Sequence, residues 1–434
     1  MYKFEKTSKN VSGILLYTTI FLLITCKSAT NTYTLFFSWS AGLMSIIYNI
    51  TTLGLAFTLP IWFYKTSCAK KARVLLIPLY LLLLVIILKH VLLAAEYGGP
   101  GFLSPSFFLP YPGFPEGFYF INLSRWLSIG SLMMWIVYEV DSKNKLNQCL
   151  KVSSIAILLP IILMIVRRPD LIGFRQVSID DVNFGGGFWN LGVRAFLAFG
   201  WLWLLMYFDK SQPNRILFLA SAVTVILSGL FGISRSALIA ISIGLLFYVL
   251  FNTKSARPLK IIAAVVICLS LMYLLSGASI IDNFIARFGS LNDIMTIEEE
   301  PRYVIWKNYL YNINEYALIG APIGSYLKYA IPPKYCSPHS SPLFWFVQYG
   351  MFGLISYLSL FWNTVSKALS IKEKDTSRNI IIWLVTYMCL TFINEVGYYT
   401  IESYIGLALI LALVKICLTV QDNVSEGSKH TVCE

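Results

Sequence analysis

Residues 74–96, VLLIPLYLLLLVIILKHVLLAAE, form an apolar run interrupted only by the adjacent pair Lys89 and His90. At about 1.5 Å of rise per residue, a helix of that length crosses the roughly 30 Å hydrocarbon layer of a bilayer. Reading outward in both directions, similar runs recur near 11–27, 40–64, 117–139, 149–166, 186–208, 214–232, 234–251, 258–276, 341–363, 379–396 and 399–420. The chain is 57% hydrophobic and 13% charged, with a mean hydropathy of +0.68, which is more apolar surface than a globule in water can bury. It reads as all-α: a polytopic integral membrane protein of about twelve transmembrane helices, organised as a single membrane domain over 1–434.

The opening MYKFEKTSKN is basic like the start of a signal peptide, but no small-residue cleavage site follows before Lys27, so the first span reads as a retained anchor. Orientation follows from Lys and Arg in alternate connections. One set, which contains both termini, holds 21 of them and the other holds 10. Both termini are therefore expected on the cytoplasmic side. That bias accounts for most of the net charge of +12, so no nucleic-acid partner is implied. The eight cysteines show no CxxC pair and no Cys/His spacing suited to zinc.

On the outer side the connection 277–340 is long enough to carry function on the membrane scaffold. Within it, PRYVIWKNYLYNINEY (301–316) begins with Pro at a first helical position and places Val304 with Tyr311, and Ile305 with Tyr309, on recurring faces. An interfacial amphipathic helix is expected there. A second outer connection, GGPGFLSPSFFLPYPGFPEG (98–117), is rich in Pro, Gly and Phe and reads as an aromatic lid or interface anchor.

The cations outside run against the charge bias. Arg167, Arg168, Arg175, Arg235, Arg287, Arg302, Lys307, Lys328 and Lys334 all fall on the outer side, and His90, Arg125 and Arg194 sit inside spans about 9 to 12 Å below the outer surface. A charge inside a span costs at least about 2.5 to 3.5 kcal/mol by insertion scales, so such groups face a cavity or a partner. Taken singly, each could pair with Glu96, Glu116, Asp180, Asp181 or Glu395, or reach the headgroups. Gathered on one side, they describe a cationic cleft for an anionic headgroup, with Arg125, His90, Arg287 and Lys307 among its lining.

Of three histidines, His339 stands where the outer loop meets the tenth span, in CSPHSSPLFWFVQYGMFGL (336–354), beside that cleft. An imidazole there has an ordinary pKa suited to moving a proton near neutral pH. The glycines of Gly350-Met351-Phe352-Gly353, three apart on an expected helix, read as a close-approach face. No Walker loop, dinucleotide-binding glycine pattern or Asp-x-Asp pair is present, and Glu298-Glu299-Glu300 reads as a solvated helix start.

GISRSALIAISIG (232–244), PRYVIWKNYLY (301–311), IGAPIG (319–324) and His339-Ser340 followed after nine residues by Gly350-Met351-Phe352-Gly353 resemble, in that order, O-antigen polymerases and O-antigen ligases. A weaker likeness lies in GGGFWNLGVRAF (185–196), and the first 180 residues add none. The resemblance implies a metal-independent glycosyltransferase of the bacterial inner membrane, without a cofactor, whose donor is an oligosaccharide on undecaprenyl diphosphate. It implies that Arg235 and Arg302, joined by Arg194, hold the diphosphate and that His339 meets the reacting hydroxyl at the periplasmic face. Membrane lipid and a chain-length regulator protein are the further partners it implies. A polymerase, with a second lipid-linked repeat unit as acceptor, is expected ahead of a ligase acting on lipid A core. A secondary transporter or flippase, which also has about twelve spans, is the reading from another class, but its charges would gather at the midplane.

Overall fold

The computed structural model describes residues 11–26, 40–96, 118–167, 178–179, 182–183, 196–209, 212–231, 246, 301–321, 338, 340–393 and 401–430. Its helices are α1 (Val11–Cys26), α2 (Ser40–Cys68), α3 (Lys70–Glu96), α4 (Phe118–Glu139), α5 (Lys143–Arg167), α6 (Trp201–Phe208) preceded by a π-helical turn at Phe196–Gly200, α7 (Arg215–Phe231), α8 (Pro301–Tyr311), α9 (Ser341–Leu369), α10 (Lys374–Ile393) and α11 (Ile401–His430). Strand pairing among the described residues is confined to Ser178–Ile179 against Val182–Asn183. Each expected span has its helix, except 234–251 and 258–276, which lie outside the described residues but for Leu246. The connection 98–117 lies outside them as well.

Five of the described helices are long and apolar enough to cross a membrane. Their outward faces carry large apolar side chains, with Phe57 74% and Trp362 76% exposed, a surface that only lipid covers at low cost. Hydroxyls buried in the helices bond to carbonyls one turn back, as Thr66 does to Trp62, Ser153 to Cys149 and Thr386 to Ile382. In this way a polar side chain inside a span spends its donor within its own helix. Pro60, Pro78 and Pro160 stand inside α2, α3 and α5, where neighbouring helices and backbone adjustments compensate for the missing donors.

The helices α2, α4 and α11 pack in sequence, α3 fills the angle between α4 and α9, and α10 backs α9. Gly406 of α11 lies so close to the π-helical turn that a Cβ there would sit 2.2 Å from the carbonyl oxygen of Ala198. Cations reach across these contacts to backbone. Lys415 of α11 donates to the carbonyls of Val137 and Tyr138 in the last turn of α4, where the helix dipole favours positive charge.

The helix α9 is broken at Gly350, whose φ of 66° and ψ of −164° leave the helical region. The hydrogen bond that would join Met351 N–H to the Val347 carbonyl is replaced by two others. Met351 N–H donates to Ala317 (2.8 Å), and the Val347 carbonyl accepts from Ala321 N–H (2.7 Å). Residues 317–321 thus lie along the break and satisfy both groups it frees. Gly320, at φ 81°, faces Gly350 across this junction. A Cβ on Gly350 would lie 2.3 Å from the Leu318 carbonyl oxygen, and one on Gly320 2.5 Å from that of Gln348. The glycines of 350–353 were expected to provide a smooth packing face; the first of them instead ends one helical arm and starts the next.

Gly350→Ala is expected to destabilise the protein by more than the roughly 1 to 2 kcal/mol of left-handed backbone alone, because the Leu318 carbonyl cannot move aside. Gly54→Ala, where nothing lies within 4 Å of the new methyl, is expected to be neutral or mildly stabilising. Heat-induced loss of monodisperse protein in detergent, followed for both variants beside the wild type, measures the contrast.

Candidate functional site

The first arm of α9, from Ser341 to Gly350, on the side expected from the charge distribution to face outward and so termed the outer arm, is buried nearly all round, with Leu343 alone half-exposed. A short helical arm enclosed on nearly every side serves as a mounting post, and four elements make contacts to it or to the residues packed beside it.

From α8, the indole N–H of Trp306 donates to the Pro338 carbonyl at 2.8 Å. This bond ties α8 to Pro338, the residue before His339 in the sequence. Ile305 and Tyr309 form the buried face of α8, while Tyr311 is 86% exposed, so of the two expected faces only the Ile305–Tyr309 one is packed. The helix also ends at Tyr311, before the expected 316, because Asn312 turns out of helical geometry into a 3₁₀ turn at Ile313–Glu315. Tyr316 then folds back and donates its hydroxyl to the Tyr309 carbonyl, closing the turn. Burial pushes that phenol up to about 12, so it keeps its proton for the bond.

From α4, Trp126 lies 4.7 Å from Trp345 of the outer arm. From α11, Tyr404 meets Trp126 edge-on at 6.0 Å. Trp345 also stacks on Tyr357 (5.5 Å) beyond the break, so the aromatic cluster grips both arms of α9. From α3, Lys89 donates to the carbonyls of Ile319 (2.9 Å) and Gly320 (2.7 Å), in the segment that patches the break.

Each contact is close in sequence to an expected site residue. Arg302 belongs to the first turn of α8, one turn before Trp306; its backbone is described and its side chain lies outside the described residues. Arg125 precedes Trp126 and is half-buried on α4. His90 follows Lys89, but its ring is only 3% exposed, with Nδ1 2.7 Å from the Ile86 carbonyl, which makes it a residue packed within the bundle. Lys307 is exposed on α8. His339, Arg235, Arg194 and Arg287 lie outside the described residues.

Residues 216–358 match the family model described as O-Antigen ligase. The resemblance seen in the sequence is to this family. No curated protein matches the chain. The matched segment runs from α7 through α8 and the patch at 317–321 to the outer arm of α9 and just past its break, and it contains Arg235, Arg287, Arg302, Lys307 and His339. With the membrane helices, it supports a polymerase or ligase role acting on lipid-linked oligosaccharides, without separating the two.

Two site neighbours escape sequence reasoning. Lys89 reads as one more cation in a span, since its acceptors lie 230 residues away. Glu402, 2% exposed in the first turn of α11, buries an acidic side chain two residues before Tyr404 of the aromatic cluster. Its signal in the sequence was an acidic residue just inside an apolar run.

The tie from Trp306 to Pro338 can be measured directly. With native cysteines replaced, a cysteine at Ser340, which is 5% exposed, is expected to react slowly with a maleimide. Adding Trp306→Phe, which keeps the ring and removes the N–H donor, is expected to speed labelling about 2- to 10-fold, the equivalent of one hydrogen bond of about 0.5 to 1.5 kcal/mol.

Proposed function

We propose that the chain is a surface-polysaccharide (O-antigen) polymerase of the bacterial inner membrane. It transfers glycan from undecaprenyl diphosphate to a sugar hydroxyl of a second lipid-linked repeat unit at the periplasmic face. The observation that carries this reading is the hydrogen bond from Trp306 to Pro338, which fastens the helix bearing Arg302 to the residue that precedes His339 in the sequence. Both the 21 to 10 distribution of Lys and Arg and the gathering of cations on the other side favour cytoplasmic termini and an outward site.

In the transfer, the acceptor hydroxyl oxygen forms a bond to the anomeric carbon of the donor sugar while the bond from that carbon to the diphosphate oxygen breaks. The hydroxyl proton goes to His339, and the departing electron pair stays on the lipid diphosphate. Arg302, Arg235 and Arg194 stabilise that developing charge, for which a planar guanidinium fork is well shaped. Arg125, Arg287 and Lys307 add positive potential along the approach. The reaction draws on no metal and no cofactor, because the activating diphosphate arrives on the substrate. A chain-length regulator is the protein partner such a reaction would have.

The second reading, a ligase that delivers the same glycan to lipid A core, is favoured by the description of the family matched at 216–358. The segment NEVGYYTIESY (394–404), acidic and aromatic with no Lys or Arg, favours the polymerase. Purified protein given a synthetic lipid-linked repeat and no core acceptor is expected to make a ladder of lengthening products. A product that appears only when core is added would assign the ligase.

Two variants test the assignment of roles. Arg302→Lys keeps the charge but not the fork and is expected to lose about 2 to 4 kcal/mol of transition-state stabilisation. His339→Ala is expected to lose about 10² to 10⁴ in rate while retaining donor binding. Unchanged laddering at equal abundance would remove either residue from the mechanism, and lost donor binding in His339→Ala would make the histidine a diphosphate ligand.

A further inference from the structure

Seven residues separate Lys89 from the end of α3 at Glu96, about 10 Å of helix, a distance over which a lysine can extend its stem toward the headgroups. The ammonium does not take that course. It is 8% exposed and donates to two consecutive carbonyls, Ile319 and Gly320, at 2.9 and 2.7 Å. Those carbonyls need a donor. They belong to an irregular stretch that includes a positive-φ glycine and packs against α3 and α9, so the two carbonyls find their donor in a side chain and not in a helical ladder.

The other groups of this stretch are committed to the break in α9. The Ala317 carbonyl accepts from Met351, Ala321 N–H donates to Val347, and Gly320 N–H closes back on Tyr316. Residues 317–321 therefore have one side on α9 and the other on Lys89. They follow directly from α8, whose own tie to α9 is the bond from Trp306 to Pro338. Two fastenings fix α8 relative to the start of α9: the indole bond at the top, and the patch at the break. Lys89 locks the second of these to α3.

We propose that Lys89 is a positioning residue for glycan transfer. It acts through the Ile319 and Gly320 carbonyls to set the distance between the first turn of α8 and Pro338, to which Trp306 is bonded. This rests on the reading of that region as the transfer site. Loss of the tether lets α8 shift relative to α9, and a displacement of about 1 Å between groups that must act together costs on the order of 10²-fold in rate. The loss falls on turnover more than on the donor KM, because the relation between base and departing diphosphate matters most in the transition state.

A control is built into the same helix pair. Asn363 of α9 donates to the carbonyls of Val74 and Leu75 of α3, both at 3.1 Å, at the far end of these helices from Lys89. Asn363→Leu removes an equivalent pair of side-chain to backbone bonds without touching the patch.

The experiment compares full-length wild type, Lys89→Met and Asn363→Leu, purified in nanodiscs. Turnover is measured on a synthetic lipid-linked repeat, and maleimide labelling at a cysteine replacing Leu318, which is 67% exposed, is measured separately. Lys89→Met is expected to label faster at Leu318→Cys and to lose about 10- to 100-fold in kcat with a smaller change in KM. Asn363→Leu is expected to match the wild type in both. Should Lys89→Met not accumulate, Lys89→Gln, whose shorter arm falls short of the carbonyls, takes its place with the same outcomes deciding. An unchanged labelling rate, wild-type kcat, or an equal loss of kcat in Asn363→Leu would overturn the positioning role alone. Absence of transfer by the wild type on any lipid-linked donor would overturn the parent reading, and this one with it.

Discussion

In α9 the helical hydrogen bond from Met351 to Val347 is given up, and the arrangement around the site follows from how the protein replaces it. Opening the bond between Met351 and Val347 frees one donor and one acceptor within a packed helix, where an unsatisfied backbone group costs several kcal/mol. Ala317 and Ala321 supply the replacements from outside the helix. This brings residues 317–321 to one place on α9 and aligns them in one register. The helix immediately upstream, α8, then has little freedom about where it lies. A break that would be a defect in an isolated span becomes the point at which an outer loop is fastened to the bundle.

The fastening holds because the arm above it cannot move. Trp345 is contacted by Trp126 of α4 and by Tyr349 and Tyr357 of its own helix, and Tyr404 of α11 backs Trp126. Large rings in offset and edge-on contact resist rotation of the arm better than aliphatic side chains of similar area would. Cations inside the bundle complement them by capping backbone: Lys415 at the end of α4 and Lys89 at the patch. A lysine used in this way is costly to bury, yet it satisfies two carbonyls at once and links elements distant in sequence.

The sequence showed the spans clearly because hydropathy over about twenty residues is a local property, and each described span has its helix. The site was legible only in part. The residue types at 302 and 339 and their place by the outer loop pointed to diphosphate and proton chemistry, whereas their common frame depends on contacts that no local pattern encodes. Gly350 reads like any small residue on a helix face until its partner Gly320, thirty residues earlier, is seen opposite it. Lys89 and His90 looked alike as charges in a span. In the fold one caps carbonyls of another segment, and the other is occupied by its own helix. The expected helix at 301–316 was too long because Asn312 favours a turn that periodicity alone does not reveal.

The use of backbone for the fastenings also explains why the family resemblance is confined to one stretch of the chain. The patch needs main-chain donors and acceptors, two glycines that can adopt positive φ without a clash, and an indole N–H; any side chain of suitable size can occupy most of the other positions. All of these groups except Lys89 fall between residues 306 and 351, inside the matched 216–358. The helices that brace them, α2 to α4 on one side and α10 and α11 on the other, contribute mainly volume and apolar surface. Many sequences meet that demand equally well in lipid, where neighbouring helices gain from close fit and not from exclusion of water. The matched stretch is therefore marked by a short run of glycines, aromatics and backbone contacts, and the scaffold around it is recognisable mainly by its hydropathy.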